Sequence, residues 1–367
     1  MASFCRKFTF LIMACTLLSC SGNDTVRLGF IGGLTGRNGD LGTAGRDGAQ
    51  LAVDSLNAAG GINGRKVELV VRDDTSNPLQ AQSVMAELIK TGVVAVIGPM
   101  TSAVAETVVP ISTAARVVLV APTVSSAEFN GRDDYFFHLN LNRDTALATA
   151  DYLSNTLKAV RPAVIMDSSN RSYTATVAGG FKERFLAAAG RQVSEFSFNS
   201  KEKPDLLKLA RSVAAARPDG IFLIAGALDS AMLCQQLKKI GSQAPVFIAE
   251  WGGTNEFIKA GGSSVAGVRG FQHFNADSSH AAFTTFKSDF MRRFGDTPSF
   301  AATYSYEAVM IVAQALKAGG QARIKESIIK IGRFTGLQGD VSLDAFGDPR
   351  RSFSLMQVSD GRFRLVN

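Results

Sequence analysis

From about residue 26 onward, short apolar runs of strand character alternate with longer stretches of helical spacing. Few folds accommodate that alternation other than a parallel sheet covered by helices on both faces. Residues 26–30, 67–72, 93–97 and 117–120 read as strands. Residues 45–59, 78–90 and 103–114 read as helices between them, with Ala49, Leu51, Ala52, Leu56 and Ala59 marking one apolar face. The layout then repeats, with helices at 145–157, 175–189, 205–215 and 231–240 and strands at 163–166, 193–198, 220–225 and 245–249. Two further helices at 281–294 and 301–318, a short one at 324–329, and a strand-rich tail at 340–366 complete the chain.

With 367 residues and 46% hydrophobic content, the chain can fill two cores. Two domains in series and two lobes with repeated crossings both satisfy the pattern. No linker rich in Pro, Gly or Ser interrupts the region near residue 140, which favours lobes packed across short crossings. The net charge of +7 includes Arg6 and Lys7, and the other basic residues alternate with acids without forming a run, so nucleic-acid binding is not expected.

The first residues have a separate character. Arg6 and Lys7 precede an apolar region at 8–18, and the small residue Ser19 precedes Cys20. This is the layout of a signal peptide over residues 1–19. Leu17-Leu18-Ser19-Cys20 resembles a bacterial lipobox, which implies a diacylglycerol on Cys20, a tether over 20–25 and an exported protein held on a membrane by its lipid. An ordinary signal peptide followed by an incidental cysteine is the plainer alternative. Cys5 and Cys15 leave with the leader, so Cys234 remains as a lone thiol and no disulfide is expected. Its neighbours Met232, Leu233 and Leu237 mark it as a core residue rather than a nucleophile.

Asn57-Ala58-Ala59-Gly60-Gly61-Ile62-Asn63-Gly64 closes a helix and turns the chain into a strand ending at Asp73-Asp74, which is turn chemistry in itself. The wider passage is more specific. Gly32-Gly33-Leu34-Thr35-Gly36, the glycine turn, Arg72-Asp73-Asp74-Thr75, Val96-Ile97-Gly98-Pro99 and Ala121-Pro122-Thr123 together resemble the branched-chain amino-acid-binding family of type I periplasmic binding proteins. In order and spacing the resemblance covers nearly the whole chain after the leader.

The resemblance implies two doubly wound parallel-sheet lobes joined by a three-strand hinge. Lobe 1 would comprise 26–141 plus 273–338 and lobe 2 would comprise 142–272 plus 339–367, with crossings near 141, 272 and 339. It also implies a monomeric solute-binding protein of an ABC importer, closing on an aliphatic amino acid and working with a separate permease and ATPase. From the first lobe, Ser102, Thr123 and Ser125 would hold the ligand carboxylate with hydroxyls and free N–H groups beyond the carboxyl ends of strands. The plain alternative for each is a helix cap. Tyr173 would close over the ligand from the second lobe. Glu250, or Trp251 in its place, stands where the family has an acid for the ligand ammonium. Leu41 and Met100 would set side-chain selectivity. The reading requires Ser102, Thr123 and Ser125 to face a shared cavity that is not plugged by protein.

Three rival readings of the same fold are an envelope scaffold or regulator, a ligand-sensing subunit, and an amide or urea binder, the last favoured if Trp251 takes the acid's place. Catalysis finds no support. His138, His273 and His280 are scattered without metal-ligand spacing, and the sequence has neither a phosphate loop nor a nucleophile elbow. No cofactor or metal is expected.

Overall fold

The computed structural model describes residues 25–37 and 39–366. The expected leader cleavage and the lipidation of Cys20 lie outside the described residues.

The first sheet is built from β1 (Val26–Gly32), α1 (Gly39–Ala58), β2 (Val67–Asp73), α2 (Pro78–Lys90), β3 (Ala95–Ile97), α3 (Ser102–Ala115), β4 (Val118–Ala121) and β5 (Phe136–His138). Its strands are all parallel, in the order β2-β1-β3-β4-β5. Strand side chains alternate between faces. Leu28 and Phe30 therefore enter the core shared with α1, while Ile31 enters the core beneath α2 and α3.

The second series is α4 (Arg143–Asp151), β6 (Ala163–Asp167), α5 (Arg171–Leu186), β7 (Ser194–Phe198), α6 (Leu206–Ala215), β8 (Ile221–Ile224), α7 (Ala227–Lys239), β9 (Val246–Ile248), α8 (Asn255–Gly261) and β10 (Arg269–Gln272). Its parallel strands run β7-β6-β8-β9-β10, the same order as the first sheet. In such an order the crevice beyond the strand ends opens where the winding reverses. Cys234 lies on the buried side of α7, and burial pushes its thiol up to about 12, so it packs as an apolar group.

The chain then returns to the first lobe through α9 (Ala281–Phe294), α10 (Phe300–Gly319) and α11 (Ile324–Ile331), with α10 lying along α1. A small antiparallel sheet follows, made of β11 (Arg333–Thr335), β12 (Asp340–Leu343) and β13 (Pro349–Arg350). Finally β14 (Ser354–Ser359) and β15 (Arg362–Leu365) add antiparallel strands beyond β10. The third crossing was expected near 339, but there β12 pairs with β11 and β13 with β12 in the small sheet. The His138 N–H also donates to the Gly347 carbonyl of that segment. Strand pairing moves the crossing to the stretch between Arg350 and Ser354.

Helix α1 begins six residues before its apolar face suggests, because Gly42, Gly45 and Gly48 are poor helix formers in isolation. Packing selects them. A Cβ at Gly42 would stand 1.9 Å from the Gly33 carbonyl oxygen, and one at Gly48 would stand 2.0 Å from that of Ala302 in α10. Backbone on the far side cannot swing away as a side chain can. Gly48→Ala is expected to lower the urea midpoint at unchanged slope, by an amount equivalent to about 1–3 kcal/mol. A midpoint equal to the parent's would show that α1 and α10 have room to part.

Candidate functional site

The carboxyl ends of the two sheets face each other, and the residues that follow those ends converge. From the first lobe come Leu41 in the first turn of α1, Met100 and Thr101 after β3, Thr123 after β4, and Phe300 at the start of α10. Asn170 and Tyr173 arrive from the second lobe before and within the first turn of α5, and Trp251 follows β9. Asn140 and Asn142 lie on the first crossing itself. Together these ten residues enclose a cavity of about 10 Å³, room for one water at most, so the clamp is shut.

Of the residues expected from sequence, Leu41, Met100, Thr123, Tyr173 and Trp251 line this cavity. Tyr173 meets Trp251 edge-on, with ring centroids 5.6 Å apart. Ser102 and Ser125 are buried beside the cavity and bound to protein. The Ser125 N–H donates to Ser102 Oγ at 3.2 Å, and Ser125 Oγ accepts from the Asn142 N–H at 2.6 Å. Thr123 Oγ1 donates to the Met100 carbonyl at 2.6 Å. At the start of α3 the Ala103 N–H is taken by Asn170 Oδ1 of the opposite lobe at 3.0 Å. Of the three hydroxyl residues expected to face the cavity, Thr123 alone lines it, while Ser102 and Ser125 lie beside it and accept from protein N–H groups.

Glu250 is fully buried and lies behind the cavity wall. Its carboxylate accepts from the His273 backbone N–H and from His273 Nδ1, both at 2.9 Å, and from the Tyr304 hydroxyl at 3.3 Å. Burial works against the charge, but the His273 ring and these donors outweigh it and hold the carboxyl below its ordinary range. Three protein donors are aimed at its two oxygens. The Tyr304 ring is also stacked under Arg351, 4.2 Å from its centroid, and Arg351 pairs with Glu307. His273 and Arg351 belong to the second and third crossings, so one buried polar network ties these two.

Asn140, Asn142, Asn170, Thr101 and Phe300 escaped the sequence reading. Asn140 and Asn142 sit on a crossing without periodicity. The signal available for Asn170 was its place between a strand end and Tyr173. Among the described residues there is no group of His, Cys, Asp or Glu suited to a metal.

Other contacts span the lobes outside the cavity. Arg37, after β1, grips Asp229 of α7 with Nε at 2.8 and 3.0 Å from the two carboxylate oxygens. The Thr254 hydroxyl donates to Asp40 at 2.7 Å, and the Ala127 N–H reaches Thr176 Oγ1 at 3.1 Å.

Two matching α/β lobes, crossed three times by the chain and shut over a cavity at their strand ends, define a type I periplasmic binding fold. The chain belongs to the periplasmic binding protein family, whose model matches residues 25–362. It is 25% identical over 342 residues to a Leu/Ile/Val-binding protein homolog 1 of Brucella abortus, covering 91% of each chain. Its fold matches the leucine-binding protein LivK of Thermotoga maritima with a TM-score of 0.86 at 24% identity, covering 93% of this chain and 98% of that one. It also matches LivJ of Streptococcus pneumoniae, solved with isoleucine, with a TM-score of 0.85 at 26% identity, covering 92% and 97%.

Two outcomes follow from the geometry. A carboxyl whose folded pKa is depressed stabilises the fold above its unfolded pKa, about 4.3, and loses that contribution as pH falls through the folded value. Glu250→Gln is expected to be less stable than the parent at pH 7 by about 3 kcal/mol, with the gap narrowing as pH falls below 4. A gap independent of pH would mean that the buried charge does not stabilise the hinge. Arg37→Ala removes a charge-assisted contact made only when the lobes are shut, about 1.5–3 kcal/mol, and should enlarge the radius of gyration in X-ray scattering. An unchanged scattering curve would show that other contacts suffice for closure.

Proposed function

We propose that the chain is the extracytoplasmic solute receptor of an ABC importer, anchored through lipid on Cys20, and that it closes on a small aliphatic amino acid or its amide. The observation that carries this reading is the cavity between the strand ends, to which both lobes and the first crossing contribute. Its walls divide by chemistry. Leu41, Met100, Phe300 and Trp251 suit an aliphatic side chain, while Thr123, the three asparagines and Tyr173 suit a polar head. The Leu/Ile/Val-binding relatives and the isoleucine complex of LivJ support the same ligand size and class.

A cavity of about 10 Å³ admits no amino acid, so the solute enters a form in which the lobes have parted. Only the shut form lets both lobes touch it, and binding shifts the population toward closure. The shut face is then the surface that a separate permease and its ATPase recognise.

A ligand that binds the folded chain at a concentration about 100 times its Kd stabilises it by roughly 2.7 kcal/mol. L-leucine, L-isoleucine, L-valine and their amides are to be screened by thermal melting, and at least one is expected to raise Tm by several degrees. If every aliphatic amino acid and amide leaves Tm unmoved, the ligand class assigned here is wrong and a scaffold role gains the ground.

A further inference from the structure

Gly42 and Gly48 of α1 meet backbone, the carbonyls of Gly33 and Ala302, and their small size serves helix packing. Gly45, buried on the same helix, meets side chains instead. A Cβ there would stand 2.5 Å from Met100 Cε, 3.1 Å from Met100 Sδ and 3.0 Å from Ser305 Oγ of α10. Met100 is also a lining residue of the cavity at the strand ends. Its side chain passes Gly32, whose Cβ would stand 2.8 Å from Met100 Cγ, and ends in a slot between α1 and α10. Leu41 and Phe300, about a turn earlier on the same two helices, line the cavity itself, so the slot lies behind its apolar wall.

The thioether is not gripped in that slot. Ser305 Oγ is buried without a hydrogen-bond partner, and Gly45 has no side chain to lock it. Methionine is unbranched and flexible, and it yields where a backbone carbonyl cannot. A helix interior prefers alanine to glycine, so α1 by itself does not call for a glycine at this position.

Resting on the reading of the cavity as the solute site, we propose that Gly45 is a specificity-determining positioning residue: it leaves the slot to the Met100 thioether and so keeps the ligand's side-chain pocket at full depth. A methyl at Gly45 displaces Met100 rather than the helices. With Gly32 and Ser305 crowding it, the thioether moves toward the cavity that Met100 lines. The ligands then excluded carry the longer aliphatic side chains, while those with a short side chain keep their place.

The test is calorimetry on the full mature chain with L-alanine, L-valine and L-leucine, each as the free acid and as the amide. The readout is the affinity ratio between the largest and the smallest of these that the parent binds. In Gly45→Ala the ratio is expected to fall about tenfold or more, as lost room for a methylene or two costs, with the smallest ligand unmoved within about twofold. Adding Met100→Ala to that variant is expected to return the ratio to within about threefold of the parent's, a rescue that a glycine serving helix packing alone would not show. If Gly45→Ala does not fold, as judged by its unliganded melt, Met100→Ala alone decides. It is expected to raise the affinity for L-phenylalanine relative to L-leucine about tenfold or more, and an unmoved preference counts against the inference. A loss shared equally by small and large ligands, a ratio unmoved within about twofold, or a parent that admits alanine alone overturns the inference and leaves the solute-receptor reading intact. A parent that binds none of the series overturns both.

Discussion

The buried carboxylate of Glu250 is the constraint from which the shape of the clamp follows. A charge taken out of water must be met by donors, and those of Glu250 come from His273, just after β10, and Tyr304 of α10. Tyr304 carries the connection on to Arg351. A buried ionic network of this kind is a weak source of stability compared with apolar packing, and its value lies in fixing one arrangement. The network pins the second and third crossings together, and the lobes can turn about that point.

Closure over that pivot solves a second desolvation problem. When the strand ends of two parallel sheets meet, the N–H groups beyond them lose water together. The shut molecule satisfies several of these groups with its own side chains, Asn170 taking the Ala103 N–H and Ser102 taking that of Ser125. Arg37 with Asp229 and Thr254 with Asp40 add contacts that exist only across the cleft. A solute therefore competes with internal partners rather than with bulk water. The apparent affinity is set by the difference between its contacts and those it displaces, reduced further by the fraction of molecules already shut without it.

How far the sequence reveals this depends on the range over which each feature is specified. Helix α2 is delimited by a proline at its first position and a side-chain cap from Asn77, all local, and its bounds at 78 and 90 are readable in advance. The repeat of strand and helix fixes the doubly wound lobes for the same reason. The start of α1 is not local, because Gly42 and Gly48 are chosen by carbonyls of Gly33 and Ala302. Strands β5 and β10, of three and four residues, are too short to carry a period. The third crossing is misplaced because β12 resembles a strand of either sheet until its pairing with β11 is seen.

The polar half of the site is the least legible part for the same reason. Position alone marks Glu250 as a residue following a parallel strand, where ligands are met. What surrounds it is set by His273, 23 residues onward, and Tyr304, 54 residues onward, which donate to its oxygens. An acid at a strand end therefore specifies a ligand contact only when its lone pairs remain free, and a hinge contact when they do not.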